Sequence, residues 1–283
     1  MYEEYWGFKE KPFENTPDPR FFYCSEKHEE ALMRLLYAVQ ERKGAAMLSG
    51  DYGSGKTLLS RVVLAKLIQQ QKEYKVALVV NPAIPVLELL EEILYQLGGE
   101  TAGQLRKIDI LRNINELIYK TSQDNMHTVV IIDEAQAIED ENIFEELRLL
   151  LNFQLNERFL LTLLLLGQPE LREKIEKLPQ LKQRLALRYH LTTLTEAEMK
   201  SYIEYRCKVA GRADALFSDQ AYKLIYEYSN GIPRKINNIC DLSLVIGMGE
   251  KATIIDEQII GKVIEDFKQG REAVESVKEQ ING

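Results

Sequence analysis

Cysteine is scarce in this chain. Cys24, Cys207 and Cys240 are its only three, odd in number and far apart. No C-x-x-C pair or nearby histidine at ligand spacing accompanies them, so neither a disulfide framework nor a zinc site is indicated, which suits a reducing cytosol. Long apolar runs are missing as well. The most apolar window, Phe159 to Leu166, is far shorter than the roughly 20 residues that cross a bilayer, and its length fits a buried strand. Met1 to Glu10 mixes acidic and aromatic residues and lacks the basic and apolar regions of a secretory signal. Positive charge is in deficit: the net charge of −8 disfavours a protein that coats nucleic acid with its whole surface, although a local basic stripe remains compatible with it. There is no internal repeat and no low-complexity tract. What is present, 45% hydrophobic residues in 283, suffices for the cores of a larger and a smaller globular domain.

The sharpest feature that is present is the run Gly50-Asp51-Tyr52-Gly53-Ser54-Gly55-Lys56-Thr57. It fits the phosphate-binding pattern G-x-x-x-x-G-K-[ST], lying between an apolar strand-like stretch (Ala45 to Ser49) and an amphipathic helix-like stretch (Leu58 to Gln71). Glycines allow the backbone to bend so that successive N–H groups and the next helix's N-terminus face the phosphates of a nucleotide. The expected nucleotide-binding set is Gly50 to Thr57 with the adjoining Leu58. Lys56 supplies a charge to the phosphates and Thr57 a hydroxyl ligand to Mg²⁺. The bland alternative is a glycine-rich turn with an incidental lysine.

Around this run the sequence alternates. Trp6, Phe8, Phe13, Phe21, Phe22 and Tyr23 interleaved with Pro12, Pro17 and Pro19 predict an extended, irregular arm that covers a surface. Ser25 reads as the N-cap of a helix whose apolar stripe is Leu32, Leu35, Leu36 and Val39. Strands are expected at Val76 to Val80, Thr128 to Ile132 and Phe159 to Leu166, with a last short one at Tyr189 to Leu191. Helices are expected at Pro85 to Leu97, Leu105 to Thr121 and Ile143 to Leu155, and two short ones run to Leu187. Such alternation implies an α/β fold, a parallel sheet with helices on both faces. From Glu196 onward helices dominate, at Glu196 to Ala210, Asp219 to Ser229, Pro233 to Met248 and Asp256 to Phe267, apart from a brief strand at Thr253 to Ile255. The expected divisions are an arm and first helix over 1–44 belonging to the core domain, the core itself over 45–194, a small helical domain over 195–267 and a loosely held polar tail over 268–283.

Chemistry gathers at the strand ends. Val129 to Ile132 followed by Asp133-Glu134 places two carboxylates at the sheet's C-terminal edge beside the phosphate loop. Asp133 is expected to hold Mg²⁺ through its water shell, and Glu134 to orient and polarise the water that attacks the γ-phosphate. A water-activating carboxylate suits a hydrolase and not a kinase. Gln168, at the end of the next strand, is the candidate γ-phosphate sensor, or else the start of a turn at Gln168-Pro169. Arg172, Lys174, Lys177, Lys182, Arg184 and Arg188 form a basic series whose plain reading is a solvated helix face. The sharper reading makes Arg184, and failing that Arg188, an arginine that acts on a neighbouring subunit's nucleotide. Arg234 falls in the first turn of a helix opened by Gly231-Ile232-Pro233, where a cation opposes the helix dipole and a phosphate partner would explain it.

Together with Asp133-Glu134-Ala135-Gln136, Gly167-Gln168-Pro169-Glu170-Leu171, Gln183-Arg184, Gly231 to Asn237, the arm from Pro12-Phe13 to Pro17-Asp18-Pro19 and Ser25-Glu26-Lys27-His28, these motifs closely resemble the AAA+ ATPases of the ExeA/GspA type from bacterial secretion and pilus assembly. A more distant resemblance is to transposition helper ATPases of the TniB/TnsC kind. The resemblance implies an AAA+ P-loop core with a five-stranded sheet and a helical lid, ATP bound between them with Mg²⁺, and work in a ring or helical oligomer. It implies that the arm near Pro17 to Tyr23, with His28, lies beside the adenine, that Gln168 is sensor 1, Arg184 the arginine finger and Arg234 sensor 2. Proteins of the ExeA type usually continue into a membrane span and a peptidoglycan-binding domain. This sequence contains neither, so a stand-alone or excised ATPase module is expected, cytoplasmic or held at the inner membrane by a partner. Two purposes stay open: assembly of a secretion or pilus apparatus, and ATP-dependent DNA binding that recruits a transposase. A switch with negligible turnover is disfavoured by Glu134.

Overall fold

The structure, a computed structural model, describes residues 1–70, 73–100, 105–155 and 158–282, with residues 270–282 as backbone alone. Two compact units emerge, one formed by Pro17–Thr192 and the other by Met1–Thr16 together with Thr193–Gly283. The first residues, with a short helix α1 (Glu3–Trp6), thus group with the C-terminal helices, whereas the sequence suggested that the whole arm goes with the core.

In the first unit, α2 (Glu26–Gln40) is capped by Ser25, whose hydroxyl accepts from the His28 N–H. Then follow β1 (Ala45–Gly50), α3 (Lys56–Gln69), β2 (Tyr74–Val79), α4 (Val86–Gln96), α5 (Lys107–Gln123), β3 (His127–Ile132) and α6 (Glu141–Leu150). The expected helix end at Gln71 lies outside the described residues. A small antiparallel pair, β4 (Gln154–Leu155) and β5 (Arg158–Phe159), precedes β6 (Leu161–Gly167), α7 (Pro169–Glu176), α8 (Pro179–Arg184) and β7 (Leu185–Leu191). Three expectations are corrected here. The helix expected through Leu155 stops at Leu150, and Phe159 pairs in the small hairpin instead of opening the long strand. β7 starts at Leu185 where a helix was expected, because pairing with β1 along its length overrides a weak local preference in a half-exposed edge strand.

The sheet order is β2-β3-β6-β1-β7 and every pairing is parallel. Side chains alternate between its faces, as a two-residue period requires. Met47, Val79, Val130, Ile132, Leu163 and Leu165 face the core shared with α4, α5 and α6. Leu48, Leu78, Val129, Ile131, Leu164 and Leu166 face the core shared with α2 and α3. Both faces are therefore dry, and the continuous apolar runs follow from that. Register aligns Ser49 with Gly167, and Ile132 with Leu165. Parallel strands in this register bring the segments after β1, β3 and β6 out at one edge.

The second unit contains α1, α9 (Glu196–Val209), α10 (Asp219–Ser229), α11 (Pro233–Gly249) and α12 (Glu257–Asn282). Thr195 and Glu198 form a capping box on α9, and Ser218 caps α10. The brief strand expected at Thr253 to Ile255 amounts to one bridge between Phe217 and Ile255. The backbone of α12 stays helical to Asn282, through the stretch expected as a loose tail. The Trp6 indole donates to the Leu244 carbonyl at 2.9 Å and the Tyr2 hydroxyl donates to Asp241. Arg206, buried in α9, donates to the carbonyls of Pro12 (2.5 Å) and Glu14 (2.8 Å). The aromatic-proline arm thus covers a surface, and within this unit that surface is α9 and α11.

Candidate nucleotide site

The loop Gly50 to Thr57 leaves the sheet at the end of β1 and turns into α3. Gly55 caps α3 at φ +100°, a left-handed conformation that favours glycine. No side chain caps this end, so the N–H groups of Lys56, Thr57 and Leu58 have no intrahelical acceptor and stand at the positive end of the helix dipole. Gly50 and Ser54 are buried, Gly53 is half-buried, and Asp51 and Tyr52 are exposed. Among the described residues Ser54 Oγ is buried without a hydrogen-bond partner. The Lys56 Nζ lies back along the loop and donates to the carbonyls of Gly50 (2.7 Å) and Asp51 (2.9 Å).

His28 supports the loop from α2. Its Nε2 lies 3.0 Å from the Ser54 carbonyl and its Nδ1 2.7 Å from Ser25 Oγ. A carbonyl only accepts, so Nε2 carries the proton and Nδ1 accepts from the serine hydroxyl. His28 thus ties α2 to the loop's backbone.

Opposite the loop, Asp133 is buried at the end of β3. Its Oδ2 accepts from Ser60 Oγ at 3.2 Å and its Oδ1 from the Glu134 N–H at 3.0 Å, with the Thr57 hydroxyl near the carboxylate. Burial pushes the Asp133 carboxyl above its ordinary range, against the pull of the Glu134 N–H and of Thr57 and Ser60. Burial likewise pushes the Lys56 ammonium down, with Glu134 and Asp133 pulling the other way. A buried carboxylate short of positive charge beside a buried ammonium short of negative charge matches a metal-bound polyphosphate, and the uncapped N–H groups of α3 match its oxygens. The residues present fit Mg²⁺ and a nucleotide: Thr57 and Asp133 for the metal, Gly50 to Leu58 for the phosphates.

Glu134 sits at φ +51° and is half-buried. Its Oε2 accepts from Gln136 Nε2 at 2.5 Å and from Gln168 Nε2 at 3.4 Å. Lys174 on α7 is not a solvated face charge; its Nζ donates to the carbonyls of Gln136 (2.7 Å) and Ile138 (2.6 Å). Ser60 carried no mark in the sequence, and Gln136 stood in its motif without a role. Ser60 lies three residues after Thr57, hence on the same helical face, which is the signal that could have found it.

The two arginines differ. Arg188 pairs with Glu176 at 3.2 Å and donates to the Lys182 carbonyl. Arg184, at the end of α8, donates to Asn152 Oδ1 at 3.0 Å, lies over the Phe159 ring, and makes no ion pair among the described residues. Arg234 is exposed in the first turn of α11, in the other unit. The preceding loop is fixed within that unit, since Leu194 N–H donates to the Gly231 carbonyl at 3.0 Å.

Comparison with known proteins agrees with this geometry. Residues 39–175 match the family described as an AAA domain. The chain is 36% identical over 250 residues to general secretion pathway protein A of Aeromonas hydrophila, an alignment that takes in 87% of this chain and 44% of that protein. It therefore spans less than half of that relative's length. Among solved structures, the ORC2 protein of Aeropyrum pernix, described in ADPNP and ADP complexes, superposes with a TM-score of 0.69 at 21% identity, over 91% of this chain and 72% of that one. Drosophila ORC bound to DNA superposes with a TM-score of 0.70 at 15% identity, over 93% and 65%. Likeness at that identity speaks for the fold. With its five-stranded parallel sheet, its phosphate loop and its helical C-terminal part, the chain has the AAA+ P-loop fold, carries the AAA domain match over residues 39–175, and is similar to general secretion pathway protein A.

Proposed function

We propose that the chain hydrolyses ATP to ADP and phosphate with Mg²⁺ and works as an oligomer in a bacterial secretion or pilus system. The observation that carries the chemistry is the cluster of Lys56, Thr57, Asp133, Glu134 and Gln168 at one sheet edge, with Ser60 of the same helix bonded to Asp133 and the Glu134 carboxylate within reach of Gln168. When bound, Mg²⁺ withdraws charge from the phosphate oxygens. The chain's own residues do the rest. Lys56 leaves the loop carbonyls for the phosphates, the α3 N–H groups hold them, Glu134 takes the proton of the attacking water, and Gln168 aligns that water with the γ-phosphorus.

Arg184 is the finger offered to a neighbouring subunit, because its present partners are neutral and easily exchanged whereas Arg188 is committed to Glu176. Arg234, in the helical unit, is the phosphate-sensing cation of the proposal. Similarity to general secretion pathway protein A supports the secretion partner and a place on the cytoplasmic side of the inner membrane, reached through that partner. No helix among the described residues is long and apolar enough to cross a membrane.

The test is Mg²⁺-dependent phosphate release from ATP by the wild-type chain at assembling concentrations, with Lys56→Ala as control. Release abolished by Lys56→Ala is expected, and wild-type release no greater than the control overturns the ATPase reading. Mixing Arg184→Ala with Lys56→Ala subunits should restore activity if the finger acts between subunits, and intact assemblies without rescue argue against it. A gel shift that needs a non-hydrolysable ATP analogue and weakens steeply with salt would replace the secretion role with a DNA-binding one.

A further inference from the structure

Gln136 hydrogen-bonds both the sensor segment and the proposed base. Its Oε1 accepts the Gln168 backbone N–H at 2.9 Å, while its Nε2 donates to Glu134 Oε2 at 2.5 Å. Accepting at one end fixes which end of the amide is the oxygen, so the nitrogen must face the carboxylate. The place is reserved for it: a Cβ on Gly167 would stand 2.7 Å from Gln136 Oε1, and β6 therefore ends in a residue without one. The turn that carries Gln136, the short 3-10 helix Ala135–Ala137, is held in turn by Lys174, whose Nζ takes up the carbonyls of Gln136 and Ile138.

From this geometry we infer that Gln136 is a positioning residue of the ATPase site, which sets the distance between the base Glu134 and the sensor Gln168 and makes the ends of β3 and β6 move as one piece. The inference rests on the ATPase reading for its catalytic consequence. Gln136 engages one carboxylate oxygen, Oε2, and leaves Oε1 for the attacking water. Without it, the Glu134 carboxylate keeps only the long Gln168 Nε2 contact at 3.4 Å, and the sensor loop loses its tether to the turn after β3. A shift of about 1 Å in a reacting group costs on the order of a hundredfold in rate. Nucleotide affinity, set by the loop and Lys56, is not expected to change, and this separates positioning from binding.

Two readouts on Gln136→Ala test this, one of them independent of turnover. Hydrogen exchange of the Gln168 backbone amide should accelerate about tenfold or more, with the neighbouring Leu171 amide, bonded to the Gln168 carbonyl, unaffected. Turnover should fall by about tenfold to a hundredfold at unchanged ATP affinity. The double variant Gln136→Ala/Gln168→Ala should be no slower than the slower single variant, because the two side chains act on one carboxylate. Gly167→Ala, whose Cβ would meet Gln136 Oε1 at 2.7 Å and the Leu171 side chain at 2.9 Å, should also lower turnover and speed exchange at Gln168, with the Leu171 amide no longer serving as the control. An unchanged Gln168 exchange rate overturns the inference whether or not the chain turns over ATP. So does a wild-type turnover number in Gln136→Ala, or a double variant whose loss is the product of the two single losses. Failure of the ATPase reading is distinct: there the wild-type chain releases no more phosphate than Lys56→Ala, and the amide exchange alone decides the contact.

Discussion

The edge of the sheet and the helical unit are held together over very different chain distances. At the edge, three short windows at residues 50–57, 133–136 and 167–168 supply Lys56, Thr57, Asp133, Glu134, Gln136 and Gln168, and parallel strand order delivers them to one place. In the helical unit the defining bonds join residues far apart: Tyr2 to Asp241 and Trp6 to Leu244 across 239 and 238 positions, Arg206 to Pro12 and Glu14 across 194 and 192. One region invests in charged groups with few partners, the other in buried groups whose partners are fixed. Substitutions at the edge should therefore remove chemistry and leave stability, and substitutions in the helical unit should do the reverse.

The largest stability effect is expected for Arg206→Ala. It strips the carbonyls of Pro12 and Glu14 and the Tyr202 hydroxyl of a buried cationic donor, at a cost of about 4 kcal/mol, measured as a fall in the urea midpoint. An unchanged midpoint would break the comparison. Gly231→Ala follows at about 3 kcal/mol, because a Cβ there would lie 1.9 Å from the Leu194 carbonyl oxygen at a φ of +71°. Thermal unfolding at matched concentration reads it.

A third effect sharpens the contrast inside the sheet unit itself, at the end away from the site. His127 is buried, its Nε2 is 2.8 Å from Thr162 Oγ1, and burial, with Arg42 adding to it, pushes its imidazole down to about 3. The folded value lies below the unfolded one, so this neutral histidine is compatible with the fold above about pH 6.5 and costs stability as pH falls from there toward 3. By pH 5 the loss is about 2 kcal/mol, and His127→Gln should flatten the stability profile between those two pH values. Smallest is Lys200→Ala, which removes an exposed pair with Asp219 and should leave the urea midpoint unchanged, because water and salt screen such a pair.

What the sequence made legible follows the same division. Ala45 to Thr57 and Val129 to Glu134 announce strand, turn and charged residue in contiguous order, so local rules suffice. Asp219–Ser229 was read with its true ends because Ser218 and Asn230 mark both. Gln136 stood in its motif without a role, since an amide has no signature until its partners at 134 and 168 are adjacent in space. Leu185 to Leu187 was misread because only pairing with β1 makes it a strand. Residues 1–16 group with helices some two hundred residues later, and no local pattern carries that information.

The central claim is that Glu134 performs the chemistry at the sheet edge while the phosphate loop holds the nucleotide. Its most direct test is Glu134→Gln, with bound ATP and released phosphate measured on one preparation in Mg²⁺. The variant is predicted to retain ATP, unfold at the wild-type temperature, and release phosphate about a hundredfold more slowly or worse. Phosphate release at the wild-type rate would contradict the account.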